Sequence, residues 1–105
     1  MKIPFKLSRR QLIIWIGFMS VTWGDYEVMS TMDIGRRMRF CLLSKLMHDL
    51  QLKAVIIKER YNFKVDAAAA LAFVEHAQAT DTVDISAVDL ITIKELIGII
   101  DQKTK

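Results

Sequence analysis

The stretch that decides the predicted fold is residues 36–61, which read RRMRFCLLSKLMHDLQLKAVIIKERY. Neither glycine nor proline interrupts it, so nothing in the sequence breaks a helix there. Its apolar residues recur in alternating steps of three and four, which is the spacing of a heptad seam. The seam consists of Phe40, Leu43, Met47, Leu50, Ala54, Ile57 and Tyr61. This pattern predicts one long amphipathic helix over residues 31–61.

The predicted helix is longer than a domain of this size needs, because about 30 residues span roughly 45 Å. We therefore interpret the seam as the interface of an intertwined homodimer. The seam could instead pack on other helices of the same chain. Residues 54–61 could also form a strand, because Val55, Ile56 and Ile57 are β-branched, although the unbroken heptad favours the helix.

The rest of the chain also favours helices, since its 105 residues include one proline and four glycines. We expect an apolar helix over residues 12–23, a helix over residues 67–79 capped by Asp66, and a helix from Ser86 to about residue 101. The predicted class is all-α, a single four-helix domain over residues 1–105 with one long central helix. Residues 1–30 are interpreted as an N-terminal extension, and no internal repeat is recognised.

No arrangement of residues indicates catalysis, a cofactor or a metal site, so an enzyme is not expected. His48 and His76 lack a second histidine or a cysteine three or four positions away, which a metal site on a helix needs. The single cysteine, Cys41, excludes an intramolecular disulfide and is typical of a reducing compartment. We expect a cytoplasmic protein.

Positive charge is concentrated in the first part of the chain. Residues 1–65 hold 12 Lys and Arg against 5 Asp and Glu, whereas residues 66–105 hold 3 against 7. Seven cations of the long helix are candidates for contact with nucleic-acid phosphates: Arg36, Arg37, Arg39, Lys45, Lys53, Lys58 and Arg60. The alternative is a solvated helix face. No recognition helix rich in Arg, Asn and Gln is visible, so base reading by this chain alone is not expected.

The N-terminal sequence allows a different class of function. Arg9 and Arg10 precede a nearly continuous apolar run to Trp23, which resembles a twin-arginine export signal. This run is shorter than the roughly 20 residues that span a bilayer, and no small-residue cleavage motif follows it. Membrane contact is therefore not the favoured interpretation. A membrane-associated protein held by residues 9–23 and a helical adaptor or inhibitor of another protein remain the alternatives.

Residues 43–60 resemble the first helix of the FlhD family, whose pattern places apolar residues around Lys, Asp and Leu. The matching residues are Lys45, Asp49, Leu52 and Arg60, and the similarity continues more loosely to about residue 100. The resemblance implies an all-α homodimer that activates transcription, with relatives that control transfer genes of conjugative elements. It also implies a FlhC-like partner that carries the zinc and most of the DNA contact, so that this chain would meet DNA within the complex. The first 40 residues have no counterpart in the family, the family's C-terminal helices are missing, and Cys41 does not match its bridging cysteine.

Overall fold

The chain folds into a two-stranded antiparallel ribbon packed on helices. The computed structural model describes residues 1–24, 28, 31, 33–79 and 85–104. The strands and main helices of these residues are, in chain order, β1 (Lys2–Ser8), α1 (Arg9–Val21), α2 (Ile34–Val55), β2 (Arg60–Asp66), α3 (Ala67–Ala79) and α4 (Ala87–Thr104).

The ribbon forms because both strands alternate in polarity, so that each buries one face and exposes the other. β1 pairs with β2 over all seven residues of each strand. The pairing is symmetrical about its centre, where Phe5 lies opposite Phe63. This central pair sets the register, since a slip by one residue would turn every buried side chain outward.

Hydrogen bonds extend the ribbon by one residue at each end. The Arg9 N–H donates to the Glu59 carbonyl at 3.2 Å, and the Ala67 N–H donates to the Met1 carbonyl at 3.0 Å. Both bonds involve odd-numbered residues at the N-terminal end of the chain, Met1 and Arg9. Since alternate residues of a strand form the ladder bonds, those of β1 are the odd-numbered ones, and the backbone nitrogen of Pro4 faces the free edge of the ribbon. A proline is tolerated there because no ladder hydrogen bond is lost.

The inner face of the ribbon rests on a cluster of aromatic rings. Phe5 stacks on Phe63, with ring centroids 5.9 Å apart, and packs against Trp15 at 5.2 Å. Trp15 in turn contacts Phe73 at 5.4 Å, and Phe18 meets Phe73 edge-on at 5.8 Å. Because Trp15 lies on α1 and Phe73 on α3, this cluster joins both strands to both of the helices that follow them.

Each strand passes directly into a helix through a capping side chain. Ser8 and Gln11 form a capping box, in which the Ser8 hydroxyl accepts from the Gln11 N–H and the Gln11 side chain accepts from the Ser8 N–H. The Asp66 carboxylate likewise accepts from the Ala68 N–H at 2.8 Å. The turn from strand to helix is therefore fixed by local hydrogen bonds in both halves of the chain.

The two halves repeat one strand–helix–helix unit, although no internal repeat is evident in the sequence. Phe5 corresponds to Phe63, 58 positions later, and the same shift carries β1 and α1 onto β2 and α3. The buried positions agree as well, with Trp15 equivalent to Phe73. The bonds that extend the ribbon are themselves related by this shift. The units are thus related by a pseudo-twofold axis that passes through the central pair.

The second helices obey the same symmetry with a smaller shift. The buried residues Leu43, Leu46 and Leu50 of α2 correspond to Ile93, Leu96 and Ile100 of α4, each 50 positions later. In keeping with the symmetry, α2 packs on α3 while α4 packs on α1. Each unit therefore completes the core of the other.

The predicted all-α class is corrected to a mostly helical fold with a two-stranded sheet. Helices were expected in the regions of α1, α2, α3 and α4, and all four are present there. The ribbon was missed. Residues 2–21, which were interpreted mainly as an extension, instead supply β1, α1 and a large share of the core, including the fully buried Leu7, Leu12 and Trp15.

The long helix expected over residues 31–61 ends at Val55. Ile56 has an extended backbone conformation, with φ −89° and ψ 120°, and β2 begins at Arg60. The run of β-branched residues at 55–57 disfavours helix, so the strand alternative was correct in kind but was placed too early in the chain.

The seam is accordingly divided among three segments. Leu43, Met47 and Leu50 are buried in the core of this chain, and Phe40 and Ala54 are partly buried against it. Ile57 is 81% exposed in the connection, and Tyr61 is buried on β2. Most of the seam thus packs within this chain, which was the alternative interpretation. A second chain could contact Leu43 or Leu50 only if the core opened. The homodimer stays a prediction.

Two leucines of α2 provide a matched test of this packing. Leu50 is 0% exposed and Leu52 is 55% exposed, two positions apart on one helix. We expect Leu50→Glu to lower the free energy of unfolding by about 4 kcal/mol or more, because it buries an unpaired carboxylate. Leu52→Glu should change it by less than about 0.5 kcal/mol.

Thermal and urea unfolding followed by circular dichroism measure both variants. Equal stability of Leu50→Glu and Leu52→Glu would contradict the placement of α2. If Leu50 lay only at an interface between chains, Leu50→Glu would give a folded monomer instead of an unfolded chain.

Candidate nucleic-acid interface

The outer surface of the ribbon is polar and faces solvent. We call it the ribbon face; its exposed residues are Lys2, Pro4, Lys6, Arg60, Asn62, Lys64 and Asp66, with Ser8 partly exposed. Across the ribbon, Pro4 lies opposite Lys64 and Lys6 lies opposite Asn62. Opposite residues of an antiparallel pair project from the same side, so strand pairing gathers these side chains into one surface.

The ribbon face is strongly cationic. It carries two lysines from β1 together with Arg60 and Lys64 from β2, against the single carboxylate of Asp66. The ion pairs found among the described residues, Arg36 with Asp33 and Arg39 with Glu75, lie elsewhere. The ribbon cations therefore keep their charge available for an anionic ligand.

The core holds the ribbon face in a fixed orientation. The side chains that alternate with the exposed ones, such as Ile3, Leu7 and Val65, are buried at 6% exposure or less. The central stacked rings of Phe5 and Phe63 add a further contact beneath the middle of the ribbon. Such rigid support favours binding by the side chains of the ribbon face, because loosely held groups lose more conformational entropy when a ligand binds.

A basic cleft borders β2. It has a volume of about 390 Å³, and its lining combines the C-terminal end of α2 with the ribbon. Lys53 and Lys58 lie on its helix and connection side, and Asn62 and Lys64 lie on its strand side, with Asp49 as its one carboxylate. The cleft therefore continues the positive charge of the ribbon face onto α2.

A hydrogen-bonded cluster around Tyr61 positions this part of the cleft. The Tyr61 hydroxyl donates to the Ile56 carbonyl at 2.6 Å and accepts from the Lys58 N–H at 3.1 Å. It also accepts from Arg9 Nη1 at 2.6 Å, and the same nitrogen donates to the Ala54 carbonyl at 3.2 Å. The end of α2 and the connection that carries Lys58 are thereby tied to β2 and α1.

The predicted phosphate contacts fall into two groups. Arg60 lies on the ribbon face, and Lys53 and Lys58 line the adjacent cleft. The other four lie on α2 between its first turn and its middle, namely Arg36, Arg37, Arg39 and Lys45. Arg36 lies 4.0 Å from the Asp33 carboxylate, and Arg39 bonds Glu75 of α3 at 2.9 Å.

Arg37 and Lys45 are also on α2, where Arg37 is exposed in the first turn and Lys45 is exposed in the middle of the helix. The structure therefore joins Lys53, Lys58 and Arg60 to the ribbon and leaves the other four on a separate helix surface.

Three residues of the ribbon face were not predicted from the sequence as site residues, namely Lys2, Lys6 and Asn62. A signal for them existed in the strict alternation of KIPFKLS and RYNFKVD, because a period of two residues is typical of a half-buried strand. The first of these segments was instead interpreted as part of the N-terminal extension, and the second as the end of the long helix with the turn that follows it.

Other kinds of site find no support in the described part of the chain. No three or more His, Cys, Asp or Glu residues there are grouped so that they could hold a metal ion. His48 is exposed on α2, and His76 is buried on α3. No helix among the described residues combines the length and the apolar character that crossing a membrane requires.

Comparisons of the chain with protein families, with curated proteins and with solved structures found no match. The FlhD-type resemblance therefore stays a prediction from the sequence. The stretch that carries it is not one helix in this fold, because α2 ends at Val55 and the matching Arg60 is the first residue of β2.

The Tyr61 cluster gives a test of how the basic cleft is held. Tyr61 is 4% exposed, and Tyr61→Phe would leave the Ile56 carbonyl and the Arg9 guanidinium without this partner. We expect the free energy of unfolding to fall by about 1–3 kcal/mol. The control is Ile57→Ala, since Ile57 is 81% exposed and its truncation should be near neutral. A Tyr61→Phe variant as stable as the control would show that the cluster contributes nothing.

Proposed function

We propose that this chain binds double-stranded DNA by inserting its ribbon into the major groove. The observation that carries the proposal is the cationic ribbon face on a two-stranded antiparallel ribbon whose other face is sealed by the core. The major groove, about 12 Å wide, admits a two-stranded ribbon, and β-ribbons are an established means of reading it. No recognition helix is needed for such binding.

The side chains of the ribbon face suit the edges of bases. Lysine and arginine donate to the O6 and N7 atoms of guanine, and asparagine pairs with the N6 and N7 atoms of adenine. Lys6, Lys64 and Asn62 lie nearest the centre of the ribbon, within one residue of Phe5 or Phe63. They would therefore enter the groove most deeply, while Lys2 and Arg60 would meet its margins.

The basic cleft supports the same mode of binding. A ribbon in the groove is bordered by two phosphate backbones, and cations beside the ribbon neutralise them. Lys53 and Lys58 line the cleft on the β2 side, where they would neutralise one of these backbones. They would position the chain on the duplex without reading sequence, which is the usual division between phosphate and base contacts.

This proposal alters the role that the FlhD-type resemblance implies. The resemblance leaves most of the DNA contact to a FlhC-like partner, whereas the ribbon supplies this chain with a DNA surface of its own. Occupation of a promoter would make the chain a regulator of transcription, as the resemblance suggests. A partner protein, a homodimer and a cytoplasmic location remain separate predictions that DNA binding by the ribbon does not require.

The proposal is tested by removing the two central lysines together. Lys6→Ala with Lys64→Ala should weaken binding to a 30-base-pair duplex at least about tenfold at low salt. The dependence of log Kd on log salt concentration should become shallower by about two, because two cations near the DNA are lost. Fluorescence anisotropy between 50 and 200 mM salt measures both quantities.

Lys94→Ala is the matched control, because Lys94 is exposed on α4 beside Phe18 and Ala77, away from the ribbon. It removes one charge from the chain and should leave the salt dependence unchanged. Equal affinities for the double variant and the control, with both proteins folded, would place DNA binding elsewhere on the molecule or exclude it.

A further inference from the structure

The pseudo-twofold symmetry of the ribbon allows its two halves to be compared residue by residue. Under the shift of 58 positions, Lys2 is equivalent to Arg60 and Lys6 is equivalent to Lys64, so a cation replaces a cation in both cases. In a bound duplex, the symmetry axis of the ribbon would coincide with a local twofold axis of the DNA. Equivalent side chains would then meet symmetry-related base pairs, as protein symmetry is mirrored in operator symmetry.

The chemical symmetry of the ribbon face fails near its ends, where Ser8 is equivalent to Asp66, and at one position near its centre. Asn62 corresponds to Pro4, and both are exposed on the ribbon face. The asparagine amide offers one donor and one acceptor side by side, which matches the major-groove edge of adenine. The proline ring offers neither. One half of the ribbon can therefore specify an adenine that the other half cannot.

We infer that a single copy of this chain recognises an asymmetric DNA site in one fixed orientation. This inference rests on the proposed function. The cations at equivalent positions favour guanine in both half-sites, and Asn62 adds a preference for adenine in one half-site only. The difference between Pro4 and Asn62 thus makes the centre of the preferred site asymmetric.

Selection from duplexes with a randomised central segment of about 12 base pairs tests the inference directly. We expect the wild-type motif to lack twofold symmetry and to contain one strongly preferred A·T pair near its centre. Asn62→Ala should lose that preference, with about 5- to 150-fold weaker discrimination at this pair, as expected for one bidentate contact. Its salt dependence should not change, because no charge is removed.

Pro4→Asn provides the opposite change. The backbone nitrogen of Pro4 faces the free edge of the ribbon, so asparagine can replace it without disturbing the ladder. The variant would carry asparagine at both equivalent positions, and its selected motif should gain a second preferred A·T pair at the symmetry-related position. Circular dichroism checks that Pro4→Asn and Asn62→Ala remain folded, and either variant alone suffices to test the assignment.

The single cysteine gives an independent readout of orientation. Cys41 is exposed, and its equivalent in the second unit is Ile91, which lies with Ser8 and Arg60 beside one end of the ribbon. By symmetry Cys41 lies near the opposite end. A DNA-cleaving iron chelate attached to Cys41 should cut only one flank of the wild-type site. Pro4→Asn on a site with both A·T pairs should also give cuts on the second flank, since the central contacts no longer distinguish the two orientations.

The outcomes separate this inference from the proposed function. A palindromic wild-type motif, cleavage on both flanks of an asymmetric site, or an unchanged motif for both variants would overturn the inference while DNA binding stood. Failure of the wild-type protein to bind any duplex would overturn the proposed function and the inference with it.

Discussion

The pairing of β1 with β2 is the contact on which the rest of the structure depends. An isolated two-stranded ribbon is at best marginally stable in water, and neither strand–helix–helix unit contains a complete core. Stacking of Phe5 on Phe63 joins the units at the symmetry axis, and Trp15 and Phe73 extend that contact into the helices. Because α2 packs on α3 and α4 on α1, as well as on the helix of its own unit, loss of the ribbon would weaken the contacts by which each unit covers the core of the other. The fold is therefore cooperative between its halves.

The sequence predicted four helices in the right regions, but it allowed a strand only as an alternative for residues 54–61 and missed the ribbon. The helix over 67–79 has the expected bounds, since a capping residue and a run of alanines are local signals. The seam prediction failed beyond Ala54. Ile57 lies in the connection and Tyr61 on β2, although the step of four residues between them fits one turn of a helix. The alternation that indicates the strand, Tyr61, Phe63 and Val65, begins only at the last residue of the seam.

The candidate interface was predicted in part, because some of it is local and some is not. Lys53, Lys58 and Arg60 lie close together in sequence, so a search for basic clusters finds them. Lys6 and Asn62 become neighbours only through the register of the ribbon. The repeat that would have indicated this pairing is hard to detect in the sequence. When residues 2–21 are aligned with residues 60–79, the only identical residues are Phe5 with Phe63 and Lys6 with Lys64. The change of shift from 58 to 50 positions conceals it further.

The presence of both strands in one polypeptide has a consequence for the living cell. When a ribbon is assembled from two identical subunits, the concentration of assembled ribbon is proportional to the square of the monomer concentration, so few ribbons form in dilute solution. Here β1 meets β2 in a unimolecular step, so the ribbon forms with the same yield in a single molecule as in many. Even a few molecules per cell would thus each contain a complete ribbon. The halves are also free to diverge by mutation, since a change in one strand is not repeated in the other.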